Sequence, residues 1–266
     1  MSSNGSIDRP NAGRAQGAPL EDTIAEAERV AAAARAQRVG LKLLGGAGIH
    51  LHSPSAQHAP LRRKYGDLDY VISKQDRKAA LSFFPSLGYE ANERFNTMQG
   101  DRRLYFFDAQ NGKQVDVFID VIRMSHVIDM RGRLGHDGPI ASPSDLLLSK
   151  VQIFEVNHKD LVDLTALLLD HPIGKGDEAI DAEYVARLAA DDWGLYRTLQ
   201  MNIDKLRGAL QGLDVDGDTV SARLDELWDA VVALPKPLKW RMRAQVGDRV
   251  RWYELPEEVR SPYQPE

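Results

Sequence analysis

The stretch Tyr65-Gly66-Asp67-Leu68-Asp69-Tyr70-Val71-Ile72 sets two carboxylates two residues apart at the head of an apolar run. In an extended chain, residues two apart share a face, so Asp67 and Asp69 point one way while Leu68, Tyr70 and Ile72 point the other. The pattern predicts a strand with one packed face and one charged face. A lone Asp-x-Asp pair more often decorates an exposed strand or turn than binds a metal, so its meaning depends on the segments around it.

Upstream, "LKLLGG" (41–46) reads as a short strand closed by Gly45 and Gly46, a turn without side chains whose amides can approach phosphate. A polar, proline-bearing loop follows from Ser53 to Lys64. Downstream, "RLYFFDAQNGKQVDVFID" (103–120) is two β-rich runs joined across Asn111-Gly112, a favoured pair for a tight hairpin turn. In its second run Val115, Val117 and Ile119 alternate with Asp116, Phe118 and Asp120. If that run lies beside the first with acidic faces aligned, Asp67, Asp69 and Asp116 converge. Like charges so close raise each other's pKa unless a cation sits among them. A hard divalent ion suits such a set, and Mg2+ suits a substrate that brings phosphate oxygens.

Working outward, residues 1–20 are rich in Ser, Asn, Gly, Pro and Ala and read as a flexible leader. Helical spacing from Asp22 to Val39 buries Ile24, Ala27, Val30, Ala31 and Ala34, with Gly40 as the stop. Lys74 to Leu87 predicts a helix and "LGYEA" a strand. After Pro143 the pattern turns helical: Ser144 is the cap candidate, and Leu147, Val151 and Phe154 form one stripe. Leu161, Leu164 and Leu168 form the next, and longer helices are expected over about Asp181 to Leu210 and Thr219 to Leu234. Lys150, flanked by Leu146, Leu147, Ile153 and Phe154, has its base on the apolar side, where it either snorkels to the edge or reaches into a site. The expected architecture is α+β: a mixed sheet flanked by helices over 21–142, then a mainly helical domain over 143–266 ending in a strand or docking arm.

The bulk properties exclude other classes. The chain has 266 residues, 43% hydrophobic, and no cysteine, so thiolate metal sites, disulfides and cysteine nucleophiles are ruled out. With 39 acidic against 34 basic residues the net charge is −5, which argues against extensive nucleic-acid contact. No signal-like or membrane-spanning apolar segment stands out, and a cytoplasmic protein is expected. His50 and His52 follow Gly-Gly in what should be a helix, where residues two apart do not share a face; with His58 they are expected to be solvated or hydrogen-bonded. "DVDGD" (214–218) has its glycine too early for a calcium loop and reads as a helix cap. Trp240, Trp252 and the arginines around them are expected to dock the tail rather than to bind nucleic acid.

The ordered set "LLGGAGIHLH", "RRKYGDLDYVI" and "KQVDVFID" resembles the DNA polymerase beta-like nucleotidyltransferase superfamily, most closely its small prokaryotic members: aminoglycoside and lincosamide nucleotidyltransferases and abortive-infection toxins. The resemblance is sharp over residues 41–120 and looser over "SDLLLSKVQIF" and "HKDLVDLTALL". It implies a nucleotidyltransferase fold in which Asp67 and Asp69 bind metal and Asp116 is the third carboxylate, helping to activate the acceptor. Gly45 and Gly46 match the phosphate-facing turn, although Ala47 stands where many relatives carry serine. Arg63, Lys64 and Lys150 are the further nucleotide-binding candidates, with Asp160 as a residue that positions Lys150. The implied reaction moves a nucleoside monophosphate from a triphosphate, with two Mg2+ ions or Mn2+, onto the hydroxyl of a small molecule, RNA or protein. Two alternatives stand beside it: a toxin using this chemistry opposite an antitoxin, and a non-catalytic nucleotide-binding module.

Overall fold

The computed structural model describes residues 17–135 and 138–255. Helix α1 (Thr23–Gln37) starts where Asp22 accepts hydrogen bonds from the amides of Ile24 and Ala25, and it buries Ala27, Val30 and Ala34. It stops short of Gly40, because Arg38 takes the left-handed conformation (φ 55°) that ends the helix. Strand β1 (Leu41–Leu43) leads into α2 (Gly45–His52), and β2 (Leu68–Ile72) into α3 (Arg77–Ser86). Then come β3 (Glu90–Ala91), α4 (Glu93–Met98), β4 (Arg103–Asp108), β5 (Lys113–Ile119), β6 (Val121–Arg123) and β7 (Val127–Asp129).

The main sheet has the order β1-β2-β5-β4-β3, with β2 and β5 parallel and the other neighbours antiparallel; β6 and β7 form a separate two-stranded ribbon. The β4–β5 hairpin forms as expected, but Asp108 pairs with Lys113, so its loop holds four residues rather than two. Asp108 accounts for the difference, since its carboxylate accepts from the amides of Gln110 and Asn111 and stabilises the longer loop. The chain continues as α5 (Pro143–Val151), α6 (His158–Asp170), α7 (Ala182–Asp191), α8 (Trp193–Leu210), α9 (Gly217–Ala233) and α10 (Leu238–Val246). The architecture is therefore α+β, a mixed five-stranded sheet with helices and a helical C-terminal region.

Local chemistry explains where the predicted boundaries move. Ser142, not Ser144, caps α5: its hydroxyl accepts from the Asp145 amide and Pro143 fills the first helical position. Ser144 Oγ instead accepts from the amide of Asp181. Helix α5 ends at Val151, so Phe154 falls outside its stripe. The helix expected over 181–210 is two, because Asp192 leaves the helical conformation and its carboxylate caps α8 through the Gly194 amide. Asp216 in "DVDGD" does cap α9, accepting from the Thr219 amide.

Both sheet faces are covered. Leu68, Tyr70, Ile72, Val115, Val117 and Ile119 pack with α1 and α3 in one apolar cluster. Val71 and Phe118, on the acidic face, belong to a second cluster that runs through α2 to α5, α6, α7, α8 and α9. The carboxylates thus occupy the rim of a second core, not an open face. The tail begins as a helix, α10, and its later residues dock. Tyr253 stacks on Phe154 with ring centroids 3.6 Å apart, Trp252 packs edge-on against Phe154 and Trp193, and the Glu254 amide donates to Ser125 O. Residues 256–259 of the expected arm, and residues 1–16 of the expected leader, lie outside the described residues. The leader's last residues are held in place: the Leu20 amide donates to Glu26, and Asn111 Nδ2 donates to Pro19 O. Among the described residues, no helix is long and apolar enough to cross a membrane.

Candidate active site

Register brings the carboxylates together. In the parallel β2–β5 pair, Asp69 stands directly opposite Asp116, which puts both side chains on the same face at the same level. Asp67 lies one residue before β2, exposed at the mouth, where its carboxylate accepts from the Gln114 amide. Asp69 keeps a little exposed surface but is otherwise enclosed. Burial and the charges of Asp116 and Asp67 push its carboxyl up to about 7, although Lys150 and Arg103 oppose the rise. Burial also raises Asp116, against the opposing pull of Arg103, whose guanidinium holds its Oδ1 at 2.6–2.7 Å. Burial raises Asp67 as well.

The glycine turn packs onto this pair. The Leu44 amide donates to Asp69 O at 2.7 Å, which fixes the end of β1 against β2. Gly45 then takes φ +62°, and a Cβ there would collide with Asp69 Oδ2. Both the backbone sign and the lack of a side chain are therefore required. The positive end of α2 consequently points at the carboxylates, which favours their ionised form. Gly45→Ala should cost roughly 1–2 kcal/mol from the left-handed backbone alone, and should also displace Asp69. A urea midpoint lowered by that amount, together with weakened divalent-ion binding, is the expected result; a wild-type midpoint would show that the turn tolerates a side chain.

The other predicted residues form an adjoining buried ion cluster. Lys150 Nζ lies 2.8 Å from Asp160 Oδ1 and 3.1 Å from Asp163 Oδ2. Arg63 clamps Asp163 through Nε at 2.7 Å and Nη2 at 2.5 Å, and its guanidinium lies over the Tyr65 ring, 4.1 Å from the centroid. Gly46 sits against this assembly, where a Cβ would collide with Arg63 Nη2. Burial and its two aspartates act on Lys150 in opposite directions, and the aspartates win, raising its pKa so that the ammonium stays charged. Asp160 also completes a capping box with Asn157, so it is a cap as well as a lysine partner. Lys64 is not drawn in: its side chain is exposed and only its carbonyl takes part, accepting from Arg63 Nη1. Asp120, the last acid of the alternation, turns away with φ 60° and accepts from the Lys74 amide.

Two residues at the centre of this arrangement, Asp163 and Arg103, are not among the candidates that the sequence suggests. Asp163 is three residues after Asp160 on a helix, a spacing that puts both acids on one face, so that signal was within reach. Arg103 faces Phe118 across the hairpin, diagonal to Asp116, and only a correct register reveals it.

No family model matches the chain, and no curated protein does. Among solved structures, it is similar to an antigenic nucleotidyltransferase-like protein from Paracoccidioides brasiliensis, with 16% identity and a TM-score of 0.39, over 83% of this chain and 96% of that one. It is also similar to a "putative nucleotidyltransferase from H. pylori", with 13% identity and a TM-score of 0.35, over 82% of this chain and 100% of that one. These likenesses are loose, and the weight of the functional assignment falls on the geometry of the site itself.

Proposed function

We propose that the chain is a nucleotidyltransferase that moves a nucleoside monophosphate from a triphosphate to an acceptor hydroxyl, releasing pyrophosphate. The observation that carries this reading is the pairing of Asp69 with Asp116 on adjacent parallel strands, beneath the glycine-led start of α2. The donor set fits hard divalent ions, because Asp67, Asp69 and Asp116 supply oxygen ligands whose burial and mutual repulsion raise the Asp69 pKa to about 7 when no ion is among them. When bound there, Mg2+ or Mn2+ would neutralise phosphate charge in the transition state.

The chain's own groups supply the rest. The amides at the start of α2, at Gly45 and Gly46, receive no side-chain cap and would suit phosphate oxygens. Asp116, oriented by Arg103, would take the proton of the acceptor hydroxyl. Lys150 and Arg63 are committed to Asp160 and Asp163, so their part is to hold α2, α5 and α6 in register, while Lys150 also lowers the cost of charge at Asp69. Incubation with labelled triphosphates, Mg2+ and a panel of small-molecule, RNA and protein acceptors should show transfer that Asp67→Ala and Asp116→Ala each remove. Transfer unaffected by Asp67→Ala would refute the assignment, and triphosphate binding without turnover would favour a non-catalytic module.

A further inference from the structure

A second cluster of metal-ligating side chains lies at the other end of α2. His52 is the last residue of α2, His171 caps the C-terminal end of α6, and Glu178 lies in the connection to α7. One ring nitrogen from each histidine and one Glu178 carboxylate oxygen all lie within 4.8 Å of one another. The two imidazoles meet edge to face with centroids 4.8 Å apart, and His52 Nδ1 is 3.9 Å from Glu178 Oε2.

The surroundings prepare these atoms for a cation. His171 Nδ1 is 2.9 Å from the Glu178 carbonyl oxygen, and a carbonyl only accepts, so Nδ1 carries the proton and Nε2 keeps its lone pair. This is the backbone support that orients a ligating imidazole. The Nε2 atom has Ser53 Oγ at 3.4 Å, a long contact. Glu178 is brought to the site by its own loop, in which the Ile180 amide donates to Pro172 O and the Gly174 amide to Ile180 O. The C-terminal ends of α2 and α6 both point here, and their partial negative charge favours a cation. Asp170, on the same cleft, is already engaged by the amide and hydroxyl of Ser55.

We propose that His52, His171 and Glu178 bind a zinc-like divalent transition cation and thereby fasten the α6–α7 connection to the ends of α2 and α6. Two imidazoles and one carboxylate are a zinc-type donor set, unlike the all-oxygen set at Asp67, Asp69 and Asp116. Tetrahedral zinc sets its ligands roughly 3.3 Å apart, so the cluster must contract, and the exposed Glu178 side chain is free to move inward. His52 and Gly45 stand at opposite ends of α2, about 10 Å apart at the helical rise, which separates this site from the acidic one.

The test uses the full chain, stripped with a chelator and titrated with ZnCl2 in excess Mg2+ so that the carboxylate site is not competing. One equivalent of zinc should bind and raise the melting temperature, and Co2+ should give the visible bands of tetrahedral nitrogen and oxygen ligation. His52→Gln and Glu178→Ala, both outside the buried core, should each weaken zinc binding at least roughly tenfold while leaving the metal-free melting temperature unchanged. Asp69→Asn should leave zinc binding intact. Absence of stoichiometric zinc binding, binding that survives both His52→Gln and Glu178→Ala, or binding lost in Asp69→Asn would each overturn the proposal.

Discussion

Asp69→Asn is expected to abolish nucleotide transfer, by on the order of 10^3-fold, and at the same time to stabilise the metal-free protein at neutral pH. The loss of transfer follows if Asp69 is the enclosed ligand nearest the start of α2. The gain in stability follows from linkage. An unfolded aspartate titrates near about 3.9, whereas in the folded chain Asp69 titrates at about 7. Between those values the folded state holds a proton that the unfolded state has released. Stability therefore falls as pH rises from about 4 to about 7 and levels off above that. A shift of this size corresponds to at most ~4 kcal/mol, divided among the coupled carboxylates. Urea denaturation of the metal-free protein across this range should show the decline in the wild type, a clearly smaller decline in Asp69→Asn, where Asp67 and Asp116 remain raised, and its reversal by Mg2+ only in the wild type. Wild-type stability that is flat with pH, or transfer within a few-fold of wild type in the variant, would contradict the site.

The second large effect is expected at Asp163. Its side chain is 1% exposed and it holds two cations, Arg63 and Lys150. Asp163→Ala leaves both cations facing a cavity with no shared anion, and breaking a buried pair from one side costs about 3–5 kcal/mol. Lys150 retains Asp160, so the penalty should fall mainly on Arg63. Asp163→Asn, which keeps the shape and an acceptor oxygen, should cost less. Adding Arg63→Met to Asp163→Ala should recover part of the loss, a coupling that a double-mutant cycle would measure. A loss below about 1 kcal/mol in Asp163→Ala would mean that water takes over the role of the carboxylate.

Much of this arrangement is legible in the sequence because strand chemistry is local. The alternation in "DLDYVI" and "VDVFI" gives face and polarity directly, and Gly45 is recognisable because a strand that ends in two glycines announces a turn. The parallel pairing of β2 with β5 is only a conditional expectation at that level, since register between distant strands is decided by the whole sheet. Arg103 stays hidden because its importance lies in the hairpin register, whereas the spacing of Asp163 from Asp160 is readable on the helix and only its cationic partners, set by tertiary packing, are not. Short elements such as β6, β7 and α4 carry too few residues for periodicity to speak. The break at Asp192 is hidden because apolar residues continue at helical spacing on either side of it, while the Asp192 side-chain cap, beside the weak helix formers Trp193 and Gly194, starts a new helix. His52 is discounted when it is compared with its neighbour His50 on the same helix, which is the wrong comparison: its partners come from the end of α6 and the loop beyond.

The apolar cluster beginning at Val71 and Phe118 continues without interruption into α9. The helical half is therefore not a cartridge that could be exchanged between scaffolds, because removing it would strip one side of the very strands that carry Asp69 and Asp116. Divergence in such a chain has to be concerted: a change of volume deep among the helices is transmitted to the spacing of two carboxylates, and drift in either half is constrained by the other.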